Sequence, residues 1–220
     1  MEKITSESLS KKAADALRNL IITGKLVQGQ KITEDECCEL LGVSRVCIRE
    51  AFFTLQAEGL LVKETNKKTT VRKFSVKDIE DIYYMRYAIE RMCIQYCLDH
   101  RILPVDKLEQ ILKKMYAVSE KKKLAPMEMT LVDLQFHSAI IEASGNLCAL
   151  KTWNSLKAQI ETVLFPVHEY FASIQERDMN PSRHAKFLES LQSGNDSAWM
   201  EELEYQLFNS VDIIKNLIKE

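Results

Sequence analysis

The stretch from Thr33 to Gly59 constrains the fold most, because it combines the start and the stop of one short helix with the start of a second. Thr33 is followed three residues later by Glu36, which is the pattern of a helix capping box. Gly42 can adopt the left-handed backbone conformation that ends a helix. Ser44 can then accept hydrogen bonds from the first free N–H groups of another helix. The spacing therefore predicts two short helices joined by a tight turn.

The second of these helices has one apolar face and one basic face. Arg45 and Arg49 are four residues apart and share the basic face. Two arginines at the start of a short second helix suit the major groove of DNA, where guanidinium groups bind guanine edges or phosphates. The alternative is an ordinary helical hairpin with a solvated arginine pair. The apolar positions follow the i, i+3, i+4, i+7 rule and are expected to face a core: Ile48, Ala51, Phe52 and Leu55.

A β-hairpin is predicted directly after the helix pair. Two short β-prone runs, 60–63 and 69–72, flank a polar tip that contains Asn66, a residue that tolerates positive φ. Lys67 and Lys68 at this tip would lie along DNA phosphates, with the tip near the minor groove. Three helices followed by a basic hairpin form a winged helix-turn-helix, so double-stranded DNA is the expected partner.

Residues 10–73 resemble the DNA-binding domain of the GntR family of bacterial transcription regulators. The matching pieces, in chain order, are Leu17-Arg18-x-x-Ile21-x-x-Gly24-x-Leu26-x-x-Gly29, Leu40-Leu41-Gly42-Val43-Ser44-Arg45, Arg49-Glu50-Ala51 and Leu55-x-x-Glu58-Gly59-Leu60. The chain departs from the family at Val46-Cys47-Ile48, where many members carry Thr-Pro-Val. It also has Asp35 where fatty-acid-responsive members place a DNA-contacting arginine, and Asn66 where their wing tip has glycine. The resemblance implies DNA binding, but the operator sequence cannot be taken from relatives.

Bulk properties point to a cytoplasmic protein with reduced thiols. The 220 residues contain no run of about eighteen apolar residues, so no membrane span is expected. The first residues lack the apolar segment of a signal peptide. The six cysteines are scattered without a CxxC pair, which does not support a zinc-cysteine site or a disulfide framework.

Charge is distributed unevenly along the chain, although the total is only −2. Residues 1–72 hold 12 Lys/Arg against 10 Asp/Glu, whereas the remainder holds 18 against 22. The first part is therefore only mildly basic. A homodimer on two half-sites would double its phosphate contacts, so dimerisation is expected.

The chain from residue 75 onward is predicted to be all helical. We therefore predict a mainly α protein with two domains: a winged helix-turn-helix over 1–74, and an all-α bundle for effector binding and dimerisation over 75–220. Breaks are expected at 144–146, 180–181 and 193–195, which gives six or seven helices. The predicted helices span about 75–98, 104–121, 127–144, 146–165, 167–176, 181–193 and 196–218.

Three residues of this bundle are candidate metal ligands. Asp133 and His137 are spaced i, i+4 and share a helix face, and His184 lies on a later helix. Helical bundles build metal sites from carboxylate and imidazole groups on separate helices. Spacing alone does not decide the matter, because Asp-x-x-x-His pairs are common and an interior histidine usually has only a hydrogen-bond partner.

Residues 131–150 and 184–207 look like the FCD ligand-binding domain of one GntR branch. Many members of that domain bind a divalent metal through one aspartate and three histidines, and the metal helps to hold a small carboxylate effector. The resemblance matches Asp133, His137 and His184 to three ligands and puts Gln206 in place of the fourth histidine. Zinc, nickel and manganese are the candidate metals. A glutamine oxygen is a harder and weaker donor than imidazole. The site can therefore bind metal less tightly, prefer an oxygen-favouring ion, complete its shell with water, or have lost the metal as fatty-acid-responsive members have.

Arg86 is the charged residue on an otherwise apolar stripe, so it must be paired or face a cavity. A salt bridge with Glu90 explains it, and so does a role in gripping the carboxylate of an effector. The family tends to carry Arg and Glu at this point of the helix. His168 and Tyr170, near a predicted helix start, are further candidates for the cavity lining, although their spacing does not demand it.

Three functions are compatible with these patterns. The first is a ligand-responsive transcription regulator, expected to act as a repressor. The second is a metal-dependent enzyme built on the Asp/His residues, but the chain lacks HExxH, G-x-S-x-G, P-loop and dinucleotide-binding motifs. The third is a protein–protein adaptor that uses the winged helix as a scaffold, which the arginine pair and the basic hairpin disfavour.

Overall fold

Helices dominate the part of the chain that the computed structural model describes, which is residues 6–63, 68–121, 123, 125–176 and 179–219. Two units can be distinguished. The first comprises Met1–Ser75 with Ser155–Thr162, and the second comprises Val76–Asn154 with Val163–Glu220. Each unit has its own buried core.

The first unit has the order of a winged helix. Its elements, in chain order, are α1 (Ser6–Ile22), β1 (Lys31–Ile32), α2 (Glu34–Leu41), α3 (Arg45–Ala57), β2 (Leu61–Lys63) and β3 (Thr69–Val71). Helix α1 packs mainly against α3.

The predicted helix pair is present, with the predicted caps. The Thr33 hydroxyl accepts from the Glu36 N–H at 3.2 Å, and the Glu36 carboxylate accepts from the Thr33 N–H at 2.9 Å. Gly42 ends α2 in the left-handed conformation with φ 65°, and Ser44 caps α3 by accepting from the Cys47 N–H at 3.4 Å. The predicted helix caps are confirmed. Each cap forms hydrogen bonds with backbone groups that a helix end leaves free.

The predicted core face of α3 is buried against α1. Ile48, Ala51 and Leu55 have no exposed surface, and Phe52 is 5 % exposed. Leu17 of α1 is also fully buried. The apolar period of α3 therefore identified its packing face correctly.

The wing is a three-stranded antiparallel sheet in the order β1-β3-β2. The predicted hairpin is confirmed, with Leu61 opposite Val71 and Lys63 opposite Thr69. The two-residue β1, which pairs with the other edge of β3, was not predicted. Asn66 and Lys67, assigned to the DNA-contacting tip, lie outside the described residues.

The second unit is a helical bundle. Its helices, in chain order, are α4 (Val76–Asp99), α5 (Val105–Ser119), α6 (Pro126–Ala143), α7 (Leu147–Ser173), α8 (Met179–Gln192) and α9 (Asp196–Lys219). Five of the predicted helices agree with α4, α5, α6, α8 and α9 to within about two residues at each end. None of the helices in the described ranges is long and apolar enough to cross a membrane.

Two predicted breaks are wrong. The expected break between 165 and 167 does not exist, because α7 runs continuously through Pro166. Proline removes one backbone donor from the helix, but Val163, Leu164 and Val167 around it are almost fully buried, and their packing offsets that loss. The break expected at 180–181 falls earlier, since α8 begins at Met179 and Pro181 lies in its first turn, where proline is tolerated.

Candidate functional site

The second unit gathers its buried polar side chains around α6. Thr130, Asp133 and His137 lie one turn apart on this helix and are 0 %, 5 % and 1 % exposed. Buried polar groups need partners, and theirs come from three other helices: α4, α7 and α8. The result is one polar cavity in the second unit, lined by side chains of α4, α6, α7, α8 and α9.

Asp133, His137 and His184 form a cluster whose potential ligand atoms all lie within 4.8 Å of one another. The Nε2 atoms of His137 and His184 are 3.2 Å apart. They lie 3.8 Å and 3.6 Å from the carboxylate oxygens of Asp133. The structure thus brings together the three ligands that the sequence assigned.

These separations fit a divalent transition metal. Two ligands held about 2.0–2.1 Å from a tetrahedral zinc lie roughly 3.3 Å from each other. The His137–His184 separation already matches this value, and the contacts to Asp133 need to close by a few tenths of an ångström. In addition, Asp133 Oδ1 is buried and has no hydrogen-bond partner. A cation would satisfy that oxygen.

His137 is oriented by a buried carboxylate. Its Nδ1 lies 2.5 Å from Glu90 Oε2, and Arg86 Nε donates to Glu90 Oε1 at 2.7 Å. Burial opposes ionisation of Glu90, but the interactions with His137 and Arg86 outweigh it and lower the pKa of this carboxyl. An ionised Glu90 accepts from His137 Nδ1–H, which leaves Nε2 facing the cluster. This is the carboxylate–histidine support typical of metal sites.

His184 is held in the matching tautomer. Its Nδ1 lies 2.9 Å from the backbone carbonyl of Asn180, which can only accept, so Nδ1 carries the proton. Burial lowers the pKa of His184 to about 4, and the ring is therefore neutral at pH 7 with a free Nε2 lone pair. For Asp133, burial opposes ionisation, but His184, His168 and His137 hold its pKa well below the usual range.

His168 also faces Asp133, and it does so from the C-terminal part of α7 rather than from the helix start that the sequence suggested. Its ring is 4 % exposed, and Nε2 lies 3.5 Å from Asp133 Oδ2. Its neighbour Tyr170 is 38 % exposed and does not line this cavity. The sequence spacing could not show which of His168 and Tyr170 lines the cavity, because this depends on which side of α7 faces α6.

Gln206 lines the cavity but is held elsewhere. Its Nε2 donates to the Arg183 carbonyl at 2.9 Å. Its Oε1 is buried and has no hydrogen-bond partner. The side chain predicted in place of the fourth ligand is therefore present in the cavity wall, tied to α8 by its amide nitrogen.

Two arginines line the same cavity. Arg86 forms the buried salt bridge with Glu90, and its Nη2 lies 3.7 Å from Asp133 Oδ1. Arg183 was missed by sequence reasoning. Its guanidinium lies over the rings of Phe171 and Tyr205 at 5.4 and 5.3 Å, and its buried Nε has no partner. The sequence pattern did not single out Arg183, because an arginine at a partly exposed helix position is common and needs no special partner.

A second, more apolar cavity of about 410 Å³ adjoins the first. The two share His168, Phe171 and Asn180 as lining residues. Apolar side chains supply most of the remaining wall: Val118, Ala125, Pro126, Met129 and Ala172. A polar and a more apolar wall thus lie side by side in the second unit.

The candidate DNA-binding surface lies on the first unit. Arg45 and Arg49 project from the start of α3 with side chains 63 % and 58 % exposed. Arg45 forms an ion pair with Asp35 at 2.6 Å, and Arg49 forms one with Glu34 at 2.7 Å. The structure therefore exposes both arginines as predicted and pairs each with an acidic residue of α2.

The polar residues that flank the arginines have different roles. Ser44 is occupied as the helix cap described above. Lys68, just before β3, is exposed. Together these residues place polar and cationic side chains at one helix start and one strand start.

Known proteins share both parts of this arrangement. Residues 9–71 match the family described as "Bacterial regulatory proteins, gntR family", and residues 81–205, more than half of the chain, match the "FCD domain". The chain belongs to the GntR family, in the branch with an FCD domain. GntR-family members with this domain are DNA-binding transcriptional regulators, and this chain is one of them rather than an enzyme.

Individual relatives are similar at a moderate level. A "Probable D-xylose utilization operon transcriptional repressor" of Paenarthrobacter nicotinovorans is 26 % identical over 166 residues, which is 74 % of this chain and 71 % of the relative. A "Putative L-lactate dehydrogenase operon regulatory protein" of Escherichia coli K12 is 32 % identical over 164 residues, which is 66 % of this chain and 62 % of that protein. The crystal structure of a putative GntR transcriptional regulator from Rhodococcus sp. RHA1 superposes with a TM-score of 0.72 at 23 % identity, covering 94 % of this chain and 97 % of the other. That last likeness concerns the fold alone.

Proposed function

We propose that this GntR-family regulator is a cytoplasmic repressor whose DNA binding responds to a small carboxylate held at a divalent metal in the helical domain. In this proposal residues 1–74 bind the operator, and residues 75–220 bind metal and effector and hold two copies together. The supporting observation is the buried cluster of Asp133, His137 and His184. Such a cluster inside an otherwise apolar bundle costs folding free energy unless a cation or a ligand compensates it.

The metal would be zinc, nickel or manganese. Imidazole donors suit zinc and nickel, and the carboxylate also suits manganese. When bound, the ion would supply positive charge and open coordination positions to an incoming anion. Glu90 and the Asn180 carbonyl would keep the two histidines turned toward it.

A carboxylate is the effector class that this cavity favours. Arg86 contributes positive charge at the wall, although its Nε stays with Glu90. Arg183 is a second anchor, since its Nε has no hydrogen-bond partner and its guanidinium lies over the rings of Phe171 and Tyr205. The adjoining apolar cavity would take the uncharged part of the molecule.

DNA contact is assigned to the start of α3 and to the wing. Arg45 and Arg49 would exchange their ion pairs with Asp35 and Glu34 for base edges or phosphates. Ser44, at the N-terminus of α3, would contact a phosphate. The wing would place Asn66, Lys67 and Lys68 along the backbone.

A homodimer is supported by α4. This helix carries an exposed apolar row at the spacing of one helix face, with Met85, Met92 and Tyr96 exposed by 47 %, 48 % and 45 %. A second copy of the chain is the proposed occupant of this row, because a two-fold dimer would present two DNA-binding domains to two half-sites.

A gel-shift titration on the promoter region of the protein's own operon tests the DNA-binding assignment. We expect salt-sensitive binding that Arg45→Ala and Arg49→Ala each weaken by at least about tenfold, given roughly 1–3 kcal/mol for one well-made base contact. Lys113→Ala removes an exposed cation from α5 and is the charge-matched control. Equal affinity of the arginine variants and the control variant would contradict the assignment.

A further inference from the structure

A third imidazole is directed at Asp133. The Nε2 atom of His168 lies 3.5 Å from Asp133 Oδ2, which is as close as the 3.6 Å and 3.8 Å contacts of the other two histidines. The side chain is 3 % exposed. His168 is thus as close to the central carboxylate as the two assigned ligands, but it comes from α7. It lies outside the group of ligand atoms that are all within 4.8 Å of one another, so its ring would have to move toward His137 and His184 on metal binding.

Thr130 fixes the tautomer of His168. The Thr130 hydroxyl donates its only hydrogen to the Pro126 carbonyl at 2.9 Å, and its oxygen lies 2.8 Å from His168 Nδ1. The hydroxyl must therefore accept from His168, so Nδ1 carries the proton and Nε2 offers its lone pair toward Asp133. Each of the three histidines consequently has an outward Nδ1 partner: a carboxylate, a backbone carbonyl or a hydroxyl. Such outer partners are typical of metal-ligating histidines.

Asn180 links His168 to the carboxylate. Its Nδ2 donates to Asp133 Oδ2 at 2.9 Å and to His168 Nε2 at 2.5 Å. The Asn180 amide nitrogen thus donates to the carboxylate and to the imidazole lone pair together. A cation in this position would bind the same two acceptors. Asn180 Oδ1 is buried without a partner, so rotation of this amide would turn an oxygen toward a cation without breaking another hydrogen bond of that oxygen.

Gln206 lacks an equivalent arrangement. Its amide nitrogen is tied to the Arg183 carbonyl, and no ion pair or hydrogen bond in the described residues joins it to Asp133 or to the histidines. A neutral amide oxygen is also a weaker donor than imidazole for zinc or nickel.

We propose that His168 is the fourth protein ligand of the metal and takes the place of the histidine that is absent at Gln206, with Thr130 as the residue that orients it. This inference rests on the metal centre proposed above. The resulting donor set is three imidazoles and one carboxylate, which favours zinc or nickel over manganese. Moving one donor from α9 to α7 also places the metal beside the apolar cavity, whose wall includes His168.

Metal titration of the full chain tests the proposal. The purified protein is stripped with a chelator, and the binding of Zn²⁺ and of Co²⁺ is followed by calorimetry and by cobalt absorption. The variants are His168→Gln, Thr130→Val, Gln206→Ala and the double variant His168→Gln/Gln206→His. Circular dichroism and DNA binding of each stripped variant verify that it is folded.

We expect His168→Gln to weaken metal binding by more than about tenfold and to change the cobalt spectrum. Thr130→Val should weaken it by about 10–100-fold, the usual effect of removing an outer partner. Gln206→Ala should retain the wild-type affinity, and the double variant should regain affinity because it restores an imidazole on α9. Thr130→Val keeps the test decisive even where His168→Gln fails to fold.

Two results would overturn the proposal, and they are distinguishable. Wild-type affinity and an unchanged cobalt spectrum in both His168→Gln and Thr130→Val would remove His168 from the metal shell while leaving the centre at Asp133 intact. Absence of metal binding in the wild-type protein, or equal binding in Asp133→Asn, would remove the metal centre itself. DNA binding is measured separately, so neither result would alter the assignment of the family.

Discussion

Arg45 and Arg49 are both paired: Arg45 forms an ion pair with Asp35, and Arg49 forms one with Glu34. These pairs are exposed, so each contributes little to stability. If Arg45 and Arg49 contact DNA as proposed, we expect a larger effect on DNA affinity, since the acidic groups would repel phosphates and compete for the same guanidinium groups. Asp35 is therefore expected to lower the affinity for DNA.

Asp35→Asn is expected to raise affinity for DNA of any sequence by about three- to tenfold at low salt, because it removes one charge that repels phosphates. Fluorescence anisotropy with operator and unrelated DNA measures the change. Asp106→Asn makes the same charge change on α5, in the helical unit. An equal gain in both variants would show that net charge, not the Arg45 pair, determines the effect.

His184 predicts how the metal-free protein responds to acid. Its pKa in the folded protein, about 4, is below the ordinary value of 6.5, so the unfolded chain takes up the proton first as the pH falls. The contribution of neutral His184 to the free energy of unfolding is therefore fully present above about pH 6.5. It decreases by about 3 kcal/mol as the pH falls to about 4.

Urea unfolding in the presence of a chelator at pH 7.5, 6 and 5 measures this loss. His184→Gln should flatten the dependence of the unfolding free energy on pH. His100→Gln, at an exposed histidine, should leave it unchanged. A wild-type curve that is already flat between pH 7.5 and 5 would contradict the assignment of a neutral, buried His184.

The individual residues of the site were only partly accessible from the sequence. Asp133, His137 and His184 followed from a helical period and a family resemblance, and the structure places them in one cluster. The sequence offered His168 only as a candidate for the cavity lining and did not single out Asn180 or Arg183, because the positions of these side chains depend on the rotation of α7 and α8 about their own axes. Those rotations are set by packing across the bundle and not by local spacing.

At the level of elements, α2 owes its start to the capping box. Thr33→Ala removes the side-chain acceptor of the Glu36 N–H and should reduce the unfolding free energy of the DNA-binding unit by about 1 kcal/mol. The matched control is Thr54→Ala in the middle of α3, where the hydroxyl only donates back to the Glu50 carbonyl. Thermal unfolding compares the two, and an equal or larger loss in the control would argue against the cap.

The strength of local end signals decides which elements the sequence predicts well. Helices with strong end signals, such as α2 and α3, were predicted with their caps. Strand β1 was missed, because two residues carry no period and become a strand only by pairing with β3. Helix α7 was divided at Pro166, because proline is a strong local breaker, whereas tertiary packing keeps the helix continuous.

At the level of the whole molecule, the exposed row on α4 predicts dimerisation. Met92→Glu introduces a charge into the centre of that row and should weaken the dimer by at least about tenfold, since a buried unpaired charge is costly. Light scattering across a concentration series measures it. Ile102→Glu, which changes a residue of similar exposure (44 %) beyond the end of α4, is the control and should remain dimeric.

In the proposed function, a carboxylate bound at the Asp133 centre changes the affinity of the protein for DNA. The most direct measurement is an anisotropy titration of the operator fragment with zinc-loaded protein, repeated with a panel of small carboxylates such as acetate, lactate and citrate. Wild-type protein and Asp133→Asn are compared. At least one carboxylate should shift the wild-type affinity by about 5–150-fold, the usual range of allosteric coupling, and the variant should bind DNA without that shift. No shift with any carboxylate, or the same shift in Asp133→Asn, would contradict the account.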